Sequence, residues 1–244
     1  MNTAFDPRAI VSLPAQGKTE LLFLLFHGVG GQAANMAPLA AALRGQYPQA
    51  ALVSLNGPEV FDGMPAASGI GGFQWFSVNG ITDVNRCERV DAAMTDFVAR
   101  IRTWAAHFAL DWPMVALAGF SQGAIMALEA VQAAPQLAGR VIAVGSRYAS
   151  VPQRAPRDVC IHLLHGTADA VLPYRLAVDA ANALIAEGAD VTADVLPGIG
   201  HELHPKLVDK AMEQLRTFIP ARLWREAVVA AAEQDKGNNK DIKH

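Results

Sequence analysis

A single doubly wound α/β domain, a mostly parallel sheet with helices on both faces, is the fold the sequence predicts. Three observations carry it. Short apolar runs alternate along the chain with longer segments of helical periodicity, which is the order of strand and helix in such sheets. The apolar runs hold few polar positions, as strands covered on both faces do. The chain's 244 residues suffice for one large domain, and no internal repeat or linker divides them.

The elements follow in order. In residues 9–20, PAQGK reads as a turn between short extended pieces, so an edge hairpin is expected. LLFLLF at 21–26 is an unbroken strand, followed by an Ala-rich helix at 33–44 and a second strand at 51–55. Over 86–108, Val90, Met94, Phe97, Ile101, Trp104 and Phe108 recur at alternating steps of four and three and make one helical stripe of core residues. Strands are expected at 114–118, 140–144, 159–164 and 191–196, and helices at 122–134, 174–187 and 205–218. These belong to one domain over 1–222; the polar, glycine-interrupted stretch 223–244 is expected as an extension that frays at its end.

Composition excludes several functions. Hydrophobic residues make up 52% and charged residues 18% of the chain, and the mean hydropathy is +0.19, values of a globular protein with a large core. The net charge of -3 and the lack of a dense Lys/Arg cluster argue against nucleic acid and against a stable membrane association. Cys87 and Cys160 lack CxxC spacing and read as two reduced thiols, with no zinc site. Asp6, Pro7 and Arg8 interrupt the N-terminus, and no seven-residue apolar core follows, so no secretory signal is expected. The longest apolar run, 21–26, is too short to span a bilayer. A cytoplasmic protein is the expectation.

The stretch LLFLLFHGVGGQAANM at 21–36 poses a choice between two kinds of glycine-rich turn. Gly28, Gly30 and Ala33 fit the dinucleotide fingerprint G-x-G-x-x-A after a strand. That fold also needs an acid after the second strand to hold the ribose, yet residues 28–58 contain no Asp or Glu. A Walker lysine is absent too, so no nucleotide or other cofactor is expected.

The second glycine motif decides the chemistry. Gly119-Phe120-Ser121-Gln122-Gly123 is G-x-S-x-G, placed between an apolar strand and a helix. The pattern alone arises by chance in roughly one chain in ten of this length; the strand-turn-helix context makes it specific. In a nucleophile elbow the serine is held in a strained turn, and flanking glycines remove side chains that would clash. A serine hydroxyl needs a base oriented by a carboxylate. Asp169 is the acid offered by the loop Gly166-Thr167-Ala168-Asp169 after the strand at 159–164, and His201 follows the next strand in Leu196-Pro197-Gly198-Ile199-Gly200-His201. Ser, Asp, His is the chain order of α/β-hydrolases. His204 competes with His201 for the base; His162 and His165 read as core hydrogen-bonders or braces of the acid loop, and His107 and His244 as surface residues. HELH falls one residue short of H-E-x-x-H, so no metal is expected.

Together these segments resemble the phospholipase/carboxylesterase family of α/β-hydrolases, which includes acyl-protein thioesterases and small bacterial carboxylesterases. The resemblance rests on FHGVGG at 26–31, Trp75-Phe76, GFSQGA at 119–124, HGTADAVLP at 165–173 and GIGHE at 198–202, and covers about residues 20–218. The larger thioesterases of the family usually carry an acid shortly after the HG turn, where this chain has Gly31-Gln32, which favours the bacterial carboxylesterase branch. The resemblance implies a metal-free serine carboxylesterase with catalytic Ser121, Asp169 and His201. The Gln122 amide, next to the nucleophile, is one expected oxyanion donor; by match to the family's HG-x-G turn the Val29 amide is the other. His27 then ties the turn down through a side-chain hydrogen bond. GIGGFQWFSVNG at 69–80 crowds Phe73, Trp75 and Phe76 among glycines, and these are the candidate acyl-binding residues, with core filling as the competing reading. Little sequence is left for a large lid, so short to medium acyl esters are the expected small-molecule substrates. A thioesterase acting on acyl-CoA or S-acylated protein, or a noncatalytic binding protein of the same fold, are the alternatives. The sequence specifies no oligomeric state.

Overall fold

The computed structural model describes residues 8–63 and 71–221, together with Leu223, Val228 and Val229. The expected extension at 223–244 lies almost wholly outside the described residues. In chain order the elements are β1 (Ile10–Ser12), β2 (Leu21–Phe26), α1 (Ala37–Gln46), β3 (Ala50–Leu55), β4 (Glu59–Val60), β5 (Phe73–Gln74), α2 (Arg86–His107), β6 (Val115–Phe120), α3 (Gln122–Ala133), β7 (Arg140–Val144), β8 (Cys160–Gly166), α4 (Arg175–Ala186), β9 (Asp190–Leu196) and α5 (Pro205–Thr217). Seven strands form one sheet in the order β1-β3-β2-β6-β7-β8-β9, and β4 and β5 pair separately. All neighbours in the large sheet are parallel except β1 on β3.

The continuous apolar runs are explained by burial on both faces. In β2, Leu22, Leu24 and Phe26 point into a cluster shared with α2, α3 and α4, while Phe23 and Leu25 join Leu39, Leu43, Leu207 and Ala211 of α1 and α5 on the other face. β6 divides likewise, with Val115 and Leu117 on one side and Ala116 and Ala118 on the other. The two-residue period therefore fills two cores at once.

Two expectations are corrected. The edge hairpin is not formed: β1 runs antiparallel to β3, with Ile10 opposite Ser54. Both edges of β2 are already occupied, by β3 and β6, so an added strand can only dock one position further out. The helix expected at 33–44 begins instead as a 3-10 turn over Ala33–Met36, and α1 starts at Ala37. Pro38 has no N–H to give and is tolerated only in the first helical turn.

Topology now places a site. The chain leaves β2 toward β3 on one side and returns through β6 on the other, which makes the carboxyl ends of β2 and β6 the switch point where ligands bind in such sheets. Phe26 lies opposite Gly119 there, bringing the HG turn beside the G-x-S-x-G turn. No helix of the described residues is long and apolar enough to cross a membrane.

The helix that follows Ser121 carries a titratable tie. Glu129 of α3 accepts the Ala149 N–H at 2.6 Å, and burial pushes its carboxyl up to about 7, against the pull of that hydrogen bond and with repulsion from Asp91 adding to the rise. A folded-state pKa above the unfolded one means the native protein binds the extra proton between about pH 4.5 and 7, so stability falls as pH rises through that window. Glu129→Gln keeps an acceptor and cannot titrate. Urea denaturation should show the variant gaining stability relative to the parent from pH 5 to pH 8; a constant difference would refute the assignment.

Candidate active site

Ser121 caps α3 with φ 51° and ψ -119°, a left-handed conformation that is strained for a residue with a Cβ. The strain is held from both sides. Its N–H donates to the Val144 carbonyl at 3.0 Å, and its carbonyl accepts from Ala124 and Ile125 at 3.0 and 3.1 Å and from the Ser146 hydroxyl at 2.9 Å. The motif glycines are steric necessities: a Cβ on Gly119 would strike the Ala124 backbone, and one on Gly123 the carbonyl oxygens of Phe26 and His27.

The loops after β8 and β9 bring the other two residues to Ser121. They are stitched together by Thr167 N–H to Leu196 O and Ala168 N–H to Ile199 O, both 2.9 Å, and a Cβ on Gly166 would run into Ile199 O. His201 Nδ1 lies 2.7 Å from Asp169 Oδ2, and its Nε2 lies 2.9 Å from Ser121 Oγ. A carboxylate only accepts, so Nδ1 carries the proton and Nε2 is left to accept from the serine hydroxyl. Asp169 Oδ1 accepts the Val171 and Leu172 amides at 2.9 and 2.8 Å. Burial pushes the Asp169 carboxyl up, but the Leu172 amide, His201 and the Val171 amide together outweigh it and hold the group below the usual carboxylate range.

His165 braces the acid loop. Its Nε2 lies 2.8 Å from Leu172 O and 3.0 Å from Asp169 Oδ2; because a carbonyl cannot donate, Nε2–H is shared between the two. His204, the competing base, is the N-cap of α5, and its Nδ1 accepts the Lys206 N–H at 3.1 Å. His162 bonds Thr192 at 2.9 Å, and burial pushes its pKa down to about 3. His107 is exposed, and His244 lies outside the described residues. Among the described residues, no group of three or more His, Cys, Asp or Glu could hold a metal ion.

His27 is fixed as the sequence suggested. Its Nε2 accepts the Gly57 N–H at 3.0 Å, which leaves the proton on Nδ1 to donate to Gly28 O at 2.6 Å. Burial lowers its pKa, against the Gly28 bond that raises it, so the ring is held neutral. Val29 sits half-buried at the turn, where Gly30 N–H donates to Phe73 O at 2.9 Å and Gly31 N–H to Gly28 O at 3.0 Å. Gln122 opens α3, so its amide has no acceptor within the helix. A Cβ placed on Gly28 would come within 3.2 Å of Ser121 Cβ, which shows how closely the turn approaches the serine.

Of the three candidate acyl-binding aromatics, Trp75 and Phe76 are buried and Phe73 is half-buried. Trp75 is 2% exposed and packs edge-on against Phe26 and Phe97, with ring centroids 5.4 and 5.3 Å apart. Its indole N–H donates inward, to His27 O at 2.8 Å. Phe76 is buried too. Together they wall a cavity of about 410 Å³ against α2 whose lining does not include Ser121. Phe73, half-buried in β5, lies under the Arg8 guanidinium at 4.5 Å. The Phe120 ring lies 5.0 Å from that of His201; its place beside Ser121 in the motif was the signal available for it. Sequence reasoning also missed the Gln122 side chain and Ser146, both ordinary polar residues in the chain.

Known proteins agree on the relationship. The model of the phospholipase/carboxylesterase family matches residues 7–220. Esterase YpfH of Escherichia coli (strain K12) is 42% identical over 219 residues, 90% of this chain and 91% of that protein. Esterase PE8 superposes with a TM-score of 0.77 at 24% identity, over 86% of this chain and 98% of its own. Acyl-protein thioesterase 2 of Zea mays gives 0.66 at 20% identity, over 86% and 97%; these two structures show the shared fold. With a family model and a relative that each span most of its length, the chain belongs to the phospholipase/carboxylesterase family and is a carboxylesterase of the α/β-hydrolase fold.

Proposed function

We propose that the protein is a serine carboxylesterase that hydrolyses short to medium acyl esters through an acyl-enzyme, with Ser121 as nucleophile, His201 as general base and Asp169 as the group that orients the imidazole. The observation that carries this reading is the continuous hydrogen-bonded chain Ser121 Oγ, His201 Nε2, His201 Nδ1, Asp169 Oδ2, at 2.9 and 2.7 Å, set on the strained turn that opens α3. As Ser121 Oγ attacks the ester carbonyl, its proton passes to His201 Nε2, and the imidazolium that forms is stabilised by Asp169. Negative charge collects on the former carbonyl oxygen, where the Val29 and Gln122 amides donate; losing one such donor costs roughly 3–4 kcal/mol of barrier lowering. His201 then returns the proton to the leaving alkoxide, so the alcohol departs. Water, deprotonated by His201, attacks the acyl-serine, and the second collapse frees the acid and restores Ser121.

Esters with short to medium acyl chains are favoured because, among the described residues, no helical insertion separates β7 from β8, β8 from α4 or β9 from α5, leaving little material for a lid. The same machinery also suits thioesters. The protein acts on a small-molecule ester in the cytoplasm.

A fluorophosphonate probe should label Ser121 in stoichiometric amount, and Ser121→Ala should lose both labelling and turnover; mass-spectrometric detection of the adduct elsewhere, with activity kept, would remove Ser121 from the role. His201→Ala should be inactive while His204→Ala retains most activity, since His204 only caps α5. Asp169→Asn, which presents an amide donor to His201 Nδ1 and stabilises the wrong tautomer, should lower kcat by about 10⁴-fold; a loss below tenfold would contradict the orienting role. Comparing kcat/KM for matched oxygen and sulfur esters from acetyl to octanoyl settles the substrate class.

A further inference from the structure

Trp75 and Phe76 touch both loops that carry the proposed oxyanion donors. From one side, Trp75 Nε1–H donates to the carbonyl of His27 at 2.8 Å, two residues before Val29. From the other, the Gln122 carboxamide closes on the same two residues: its Oε1 accepts the Trp75 backbone N–H at 2.9 Å, and its Nε2 donates to the Phe76 carbonyl at 2.7 Å. His27, Trp75, Phe76 and Gln122 are all buried, so none of these groups can exchange its partner for water without cost. The indole is wedged edge-on between Phe26 and Phe97 and is not free to swing toward a substrate.

We propose that Trp75 and the Gln122 side chain are positioning residues, and that the strap Trp75–Phe76 holds the HG turn and the nucleophile elbow at the separation that makes one oxyanion hole of the Val29 and Gln122 amides. The inference rests on the assignment of Ser121 and of those two donors made above. Its physical basis is tolerance. Oxyanion donors act over a window of a few tenths of an ångström, and two loops from different strands share no covalent constraint that narrow. Three buried hydrogen bonds to one rigid two-residue strap supply it.

Two variants test this. Trp75→Phe keeps an aromatic ring and removes the indole donor; Gln122→Met keeps length and the backbone amide and removes both clasp bonds. Each should lower kcat about tenfold, a fraction of the loss for deleting a donor outright, with KM nearly unchanged and the acetyl-to-octanoyl ratio of kcat/KM preserved. The affinity for a trifluoromethyl ketone, whose adduct with Ser121 carries an oxyanion, should weaken by a factor similar to the loss in kcat/KM. If Trp75→Phe does not fold, Gln122→Met alone carries the test. A lower melting temperature with unchanged kcat and ketone affinity would mean a purely structural strap and overturn the proposal. A several-fold change in the acyl-length ratio would put Trp75 on the acyl wall and also overturn it. If the parent enzyme itself binds the ketone no more tightly than the matching ester, the oxyanion-hole assignment fails instead.

Discussion

Ser121 occupies the left-handed region at φ 51°, at a cost on the order of 1–3 kcal/mol for a residue with a Cβ, and the surrounding fold is arranged to impose that conformation. α3 buries Gln122, Gly123, Ala124, Ile125, Met126, Ala127 and Leu128 in succession, more than an amphipathic stripe would, because this helix lies in the middle of its layer and packs on β6 and β7 as well as α2. A helix so enclosed cannot rotate to relax its first residue. The glycines at 119 and 123 let it descend onto the sheet, where any Cβ would meet backbone. Tight packing therefore maintains the strain, and the strain projects the hydroxyl out of the turn toward His201.

Charge is handled by the same logic of enclosure. Asp169 is buried with its side chain fully shielded from solvent, which would favour the neutral acid were it alone. Four donors converge on it instead: the Val171 and Leu172 amides on one oxygen, His201 and His165 on the other. The Leu172 amide, His201 and the Val171 amide hold the carboxyl below the usual carboxylate range despite its burial. The two backbone donors come from the turn that Asp169 itself begins, so they orient the acid independently of His201. His165 adds a restraint by spanning Asp169 and Leu172 O with one N–H. The imidazole of His201 thus meets an acceptor that has no freedom to follow it.

The sheet was legible in the sequence because strands covered on both faces leave unbroken apolar runs, and every long parallel strand expected from such a run is present to within two residues. The three polar residues brought together were legible because each sits on a turn just beyond a strand, with glycines that have no other purpose. What escaped was set by three-dimensional neighbours. The pairing of β1 depends on which strand edges are already taken, and a local turn signal cannot report that. Trp75 carried the same difficulty in another form: an aromatic residue near glycines looks alike whether it faces a ligand or a core. Its N–H acceptor, His27 O, lies in a distant loop that the sequence does not point to. The Gln122 side chain was hidden for a similar reason, since its partners are backbone atoms 46 and 47 residues away.

The turn after β2 takes its geometry from hydrogen bonds between uncharged groups and not from ion pairs. Gly30 N–H and Gly31 O exchange bonds with Phe73 at 2.9 and 2.7 Å, so the turn is one side of a short antiparallel bridge. Gly72 lies so close that a Cβ there would collide with Gly30 O. From beneath, Gly57 N–H holds His27, and Asn56 Oδ1 accepts the Ala33 N–H at 2.8 Å, so the end of β3 grips the turn at both its entrance and its exit. A peptide fixed by neighbours on three sides has little freedom to reorganise, which is the property the proposed donor role of Val29 requires. The glycines at 28, 30 and 31 are therefore the means of crowding: they remove side chains so that β3, β5 and the nucleophile elbow can all approach one stretch of backbone.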